Sequence, residues 1–156
     1  MITRAARLTA ALAAVAGAAS PAATCTLELS DDRSGVLMRR VPVAQAEVVV
    51  GFTHSVLGTP VRDRYVWSGG QWRLVEERFE GAGYGLPHGA QPGEKLLREG
   101  NGWRLVTDRV IDPLVVRDVP GTDMHIEAAG AGVWRLHELG ARSLRVTAAR
   151  CSATAP

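Results

Sequence analysis

Cysteine is scarce in this chain: Cys25 and Cys151 are the only two among 156 residues. A pair that far apart excludes a small disulfide-framework protein, and no Cys-x-x-Cys or ligand-spaced histidine set accompanies it to suggest a metal site. Net charge is nearly absent too. Residues 1–22 hold no Asp or Glu, so setting them aside removes Arg4 and Arg7 and turns 18 basic against 16 acidic residues into 16 against 16. That balance removes the electrostatic reason to expect nucleic acid or an anionic membrane surface as partner. Also missing are an internal repeat, a nucleotide-binding glycine motif and a Gly-x-Ser-x-Gly nucleophile elbow. No metal and no cofactor is expected.

What is present first is a leader. Met1 to Ala22 reads as a secretory signal peptide, with Arg4 and Arg7 as its basic region, Leu8–Ala19 as its apolar region, and Pro21 as a breaker among small residues. The apolar stretch falls short of the roughly 20 residues that a membrane span needs. Cleavage and export to the periplasm, or otherwise outside the cytoplasm, are therefore expected, with no stable membrane insertion afterwards. Thr24 directly before Cys25 argues against a lipid anchor on that cysteine. In an oxidising compartment Cys25 and Cys151 are expected to form one disulfide, two buried free thiols being the alternative.

Residues 23–156 read as one all-β domain, a β-sandwich or a partly open barrel. Strands are expected at Cys25–Leu29, Val36–Arg40, Glu47–Val56, Val61–Ser68 and Gln71–Phe79, then at Trp103–Thr107, Leu114–Val119, Met124–Ala128, Val133–Leu136 and Leu144–Ala149. The two residues between Ser68 and Gln71 are both glycine, a specific hairpin signal. Gly81 to Gly93 differs in character, with five glycines, two prolines and no periodicity, and reads as a loop. After residue 22 no convincing amphipathic helix is evident.

Residues two apart in a strand share a face. By that parity His54 lies with Val48, Val50 and Phe52, Asp63 with Val61 and Tyr65, and Glu76 and Arg78 with Trp72 and Leu74. With ordinary hairpin register His54, Asp63, Glu76 and Arg78 are expected to converge on one region, roofed by the Gly81–Gly93 loop. Buried charges are costly unless paired, so these residues would form a structural network, a ligand or partner site, or a catalytic group. His54, Ser55 and Asp63 supply triad residue types, but neighbours in a strand point to opposite faces, which separates a Ser55 nucleophile from a His54 base. Of the remaining histidines, His88 in the loop is the freest, and His125 and His137 are scattered.

Four segments follow one another in order: Phe52–Thr53–His54–Ser55–Val56, Pro60–Val61-x-Asp63-x-Tyr65, Glu76-x-Arg78–Phe79 and Gly83–Tyr84–Gly85–Leu86–Pro87. This set resembles the exported bacterial family known as domain of unknown function 1850, over a span from about Cys25 to the C-terminus. Asp123 to Ile126 resembles a later family segment around a histidine. The family pattern matches His54, Ser55, Asp63, Glu76, Arg78, Gly83, Gly85 and Pro87. Members are often encoded beside, or fused to, tripartite ATP-independent periplasmic (TRAP) transporters of the TAXI type. The resemblance thus implies a non-enzymatic accessory or binding protein of such an uptake system. A small periplasmic hydrolase using His54, and a scaffold domain pairing its sheet edge with a transporter subunit, are the alternatives.

Overall fold

A computed structural model describes residues 25–151; the expected signal peptide, residues 1–22, lies outside the described residues. The strands run β1 (Cys25–Asp31), β2 (Leu37–Val43), β3 (Glu47–Thr53), β4 (Pro60–Ser68), β5 (Gln71–Glu80), β6 (Lys95–Glu99), β7 (Gly102–Ile111), β8 (Leu114–Arg117), β9 (His125–Ala128), β10 (Gly132–Arg135) and β11 (Ser143–Ala149). One helical turn, α1 (Leu136–Leu139), precedes β11. All pairings are antiparallel. They form a four-stranded sheet in the order β2–β1–β11–β8 and a seven-stranded sheet in the order β10–β9–β3–β4–β5–β7–β6. The strands divide into two separate sheets and neither order closes on itself, so the fold is a β-sandwich and not a closed barrel.

Apolar alternation explains how the sheets meet. Leu27 and Leu29 of β1, Leu144 and Val146 of β11, and Leu114 and Val116 of β8 pack onto Val48, Val50, Trp72, Ile126 and Ala128 of the larger sheet. The Trp72 indole N–H also donates to the Val146 carbonyl across the core, 2.9 Å away. Gly69 and Gly70 both take positive φ, 62° and 84°, as a two-residue hairpin loop requires. Trp67 and Trp72 face each other beside that turn, edge to face at 5.4 Å. Cys25 and Cys151 are disulfide-bonded across a separation of 126 residues, joining the start of β1 to the residue just past β11's end turn.

Several strand ends shift by a few residues from the sequence reading, and three differences have a physical reason. β2 runs through Pro42, which a strand at a sheet edge tolerates because one side of it needs no donor. β6 falls where no strand is expected; in Lys-Leu-Leu-Arg-Glu only Leu96 turns toward the core, opposite Leu105, so the apolar signal is one residue long. β3 stops at Thr53 instead of reaching Val56, and His54 opens a turn.

The inner face of the larger sheet carries a second core. Val61, Phe79 and Leu105 are buried there with Leu86 from the 81–93 loop, and Phe52, Leu57, Leu96 and Trp103 pack against them. Two apolar clusters thus share one sheet face, and polar groups lie between them.

Candidate functional site

The four polar residues expected to converge do not. In the pairing of β4 with β5, Arg64 faces Glu76 and Tyr65 faces Leu74, which leaves Val75 without a partner. The β5–β7 pairing is interrupted at the same place. One extra residue reverses the parity of everything after it. Trp72 and Leu74 therefore point inward before the bulge, and Glu77 and Phe79 after it. Glu76 and Arg78 turn to the outer face, Asp63 stays inside opposite Glu77, and His54 has left the sheet.

His54 holds a turn and a loop together. Its side chain is buried, and Nδ1 accepts the backbone N–H groups of Val56 and Leu57, each at 3.2 Å. Nδ1 acting as acceptor leaves the proton on Nε2, which donates to the Tyr84 carbonyl at 3.2 Å. The turn is closed by His54 N–H to the Thr59 carbonyl and Gly58 N–H to the His54 carbonyl, both 2.8 Å. Ser55 and Val56 stand exposed on it. On the loop side Leu86 is sunk into the second core and Pro87 is half-buried, while Tyr84 is 70% exposed. Tyr84 has φ 54° between Gly83 at 82° and Gly85 at 93°. A non-glycine residue in that region is strained, and it persists because both ends of the segment are held. His54, Ser55, Gly83, Gly85 and Pro87 thus belong to one place.

Asp63 belongs to a second. It lies between Val50 of β3 and Glu77 of β5. Asp63 Oδ1 and Glu77 Oε2 are buried without a hydrogen-bond partner among the described residues. Burial, and then the Glu77 charge, pushes the Asp63 carboxyl up to about 7. Glu77 is raised as well, by burial first, with Glu94 adding and Arg109, 3.6 Å away, opposing. The Tyr65 hydroxyl is pushed up by burial and by both acids. Arg109 sits closer to Glu94, at 2.6 Å, and Glu94 also accepts the Thr107 hydroxyl at 2.7 Å and the Gln91 N–H at 3.0 Å. Those contacts, the Gln91 N–H first, hold the Glu94 carboxyl below its ordinary range. Glu77, Glu94, Thr107 and Arg109 were outside the expected set, because without the bulge parity puts Glu77 outside.

A stability effect follows for Asp63. An unfolded aspartate loses its proton near ~3.9, whereas the folded group does so at about 7. Between those values the native state holds a proton that the unfolded chain has released, so stability falls as pH rises through the window and levels off above it. Asp63→Asn is expected to exceed the wild type by about 1–3 kcal/mol near pH 8 and to converge with it near pH 4. Urea denaturation at several pH values checks this; a wild-type stability that stays level from about pH 5 to 8 contradicts it.

Glu76 and Arg78 belong to a third place, a lattice of ion pairs over the outer face. Arg78 meets Glu76 at 2.8 Å and Glu99 at 3.2 Å, and Arg104 meets the same two acids at 3.4 and 2.9 Å. Arg64 joins Glu47 and Glu76, and Arg62 grips Glu127 with both terminal nitrogens at 2.8 and 2.7 Å. Burial works against the Glu76 charge, yet Arg78, Arg64 and Arg104 together hold its carboxyl below the usual range. The Asp123–Ile126 segment lands beside this lattice. His125 contacts Glu127 at 3.1 Å and lies over Gly51, leaving no room there for a Cβ. A groove of about 460 Å³ runs from Arg62 and Glu127 along the β9–β10 turn. Glu76 at the hub is largely covered, but the other side chains of the lattice are partly exposed, and such pairs contribute little stability each. Among the described residues no group of three or more His, Cys, Asp and Glu is placed to hold a metal.

Residues 48–135 match the family model described as Domain of unknown function (DUF1850). The match starts in β3 and ends with β10, covering the seven-stranded sheet and β8 but not β1, β2 or β11. It is shorter at both ends than the resemblance drawn from the sequence. No curated protein and no solved structure matches the chain.

Proposed function

Since the chain belongs to the DUF1850 family, we propose that it is an exported, non-enzymatic accessory protein that binds a partner protein through the His54-clasped loop. The partner proposed is a subunit of a TAXI-type TRAP uptake system, as the family resemblance implies. One observation carries the reading: Tyr84 is 70% exposed at the apex of a loop in strained backbone geometry, over a base fixed by His54 and Leu86. An aromatic held out to solvent on a rigid platform is the arrangement that gives binding energy with little loss of freedom on association. Ser55 and Val56 stand on the neighbouring turn and widen the surface. His54, the base that a hydrolase would need, has both ring nitrogens engaged with backbone groups. A disulfide between Cys25 and Cys151 accords with an oxidising compartment.

The test is capture of purified transporter subunits by the domain. Tyr84→Ala is expected to weaken capture by about tenfold or more while leaving the melting temperature nearly unchanged, since the side chain it removes lies in solvent. His54→Ala is expected to lower both. Capture of no transporter subunit by the wild type, or equal capture by Tyr84→Ala, overturns the reading.

A further inference from the structure

The 81–93 loop is tied down at two ends. His54 holds it near Tyr84, and Glu94, at its exit into β6, holds it to β7 through Thr107 and Arg109. From Arg109 a polar connection continues inward. The guanidinium is 2.6 Å from Glu94 and 3.6 Å from Glu77, so one cation serves two carboxylates. A third carboxylate, Asp63, faces Glu77 across the β4–β5 pair. On β3 it is paired with Val50, it acts on Tyr65 of its own strand, and among the described residues it makes no ion pair. Each acid of the pair keeps one buried oxygen without a hydrogen bond.

Two opposed carboxylates cannot both ionise in such a place without drawing in a counter-charge. The cation within reach of Glu77 is Arg109, 3.6 Å away, and it is shared with the loop through Glu94. We propose that Asp63 and Glu77 hold one proton between them in the folded protein, and that this proton keeps Arg109 on Glu94 and the Tyr84 loop fastened. When the proton leaves for solvent, the pair carries two negative charges, Arg109 shifts from Glu94 toward Glu77, and the exit of the loop is released. Glu94 then retains Thr107 and the Gln91 N–H but loses its ion pair. The surface presented by Tyr84 is thereby ordered on the acidic side and loosened on the alkaline side. Its meaning for partner binding rests on the function proposed above; the latch does not.

Hydrogen exchange of the whole folded chain tests it, with rates corrected for the intrinsic pH dependence and read from about pH 5.5 to 8.5. In the wild type the protection of amides from 81 to 94 is expected to fall about tenfold or more across that range relative to those of β1 and β11. Asp63→Asn is expected to hold the loop protected throughout, and Glu77→Gln to do the same, because it removes the charge that would draw Arg109 away from Glu94. Arg109→Gln is expected to leave the loop poorly protected at every pH. A wild-type loop whose protection does not change with pH, or an Asp63→Asn loop that still loosens, overturns the latch. If Tyr84→Ala captures partner normally while the loop still loosens with pH, the partner surface is refuted and the latch stands.

Discussion

Replacing Cys25 and Cys151 together by serine is expected to lower the free energy of unfolding by about 4–5 kcal/mol, a large part of the stability of a domain this size. The bond spans 126 residues. Its two ends are already neighbours in the folded smaller sheet, where Thr26 pairs with Ala149. The native state therefore gains little contact from the bond. The unfolded chain, by contrast, loses the freedom of its longest loop, and that is where the stabilisation arises. Guanidinium unfolding of the oxidised protein, the reduced protein and the double variant measures it. Reduced wild type and double serine variant should coincide. A difference below about 1 kcal/mol between oxidised and serine forms would mean that the unfolded chain is already compact near its ends. Under conditions where the variant stays folded, partner capture should survive, because the 81–93 loop is built on the other sheet.

Trp72→Ala is expected to be nearly as damaging, at about 3–5 kcal/mol. The side chain is 1% exposed, and it belongs to the larger sheet while packing among residues of both. Removing it leaves a cavity between the layers, breaks the edge-to-face pair with Trp67 and takes away the donor to the Val146 carbonyl. Trp72→Phe separates these effects. It keeps most of the ring volume and loses the N–H, so a cost of about 1–2 kcal/mol is expected from the broken hydrogen bond and imperfect packing. Thermal and urea denaturation of the two variants give the comparison. Alanine tolerated within about 1 kcal/mol would show that the sheets do not depend on this contact.

Much of the framework was legible in the residue order. The Gly69–Gly70 pair marked its hairpin because two consecutive positive φ values are nearly a glycine property. The clustered glycines and prolines of 81–93 marked a loop, and the alternating apolar runs marked most strands. Family membership was legible as well, through short segments whose order survives without any geometry. β6 was not legible, because a mostly charged edge strand shows the core one leucine and solvent the rest.

The end of β3 was missed for a local reason. Val-Val-Val-Gly-Phe-Thr-His-Ser-Val reads as one long strand by composition, but the His54 ring bonds the N–H groups two and three residues ahead. That competition between side chain and ladder ends the strand and is invisible to strand preference. The bulge at Val75 was missed for a different one. Face assignment by counting holds only while both strands advance in step, and a single skipped residue sends Glu76 and Arg78 outward and Glu77 inward.

Composition, alternation and the placement of two cysteines were enough for an all-β chain closed by a disulfide, since those properties are written locally or depend on nothing but residue type. Which polar residues share a place was decided by long-range pairing. Arg64, Arg78 and Arg104 take up Glu76 on the outer face, leaving Asp63 inside to face Glu77 with no arginine paired to it among the described residues. Charges choose partners by distance in space, and one unpaired valine set those distances.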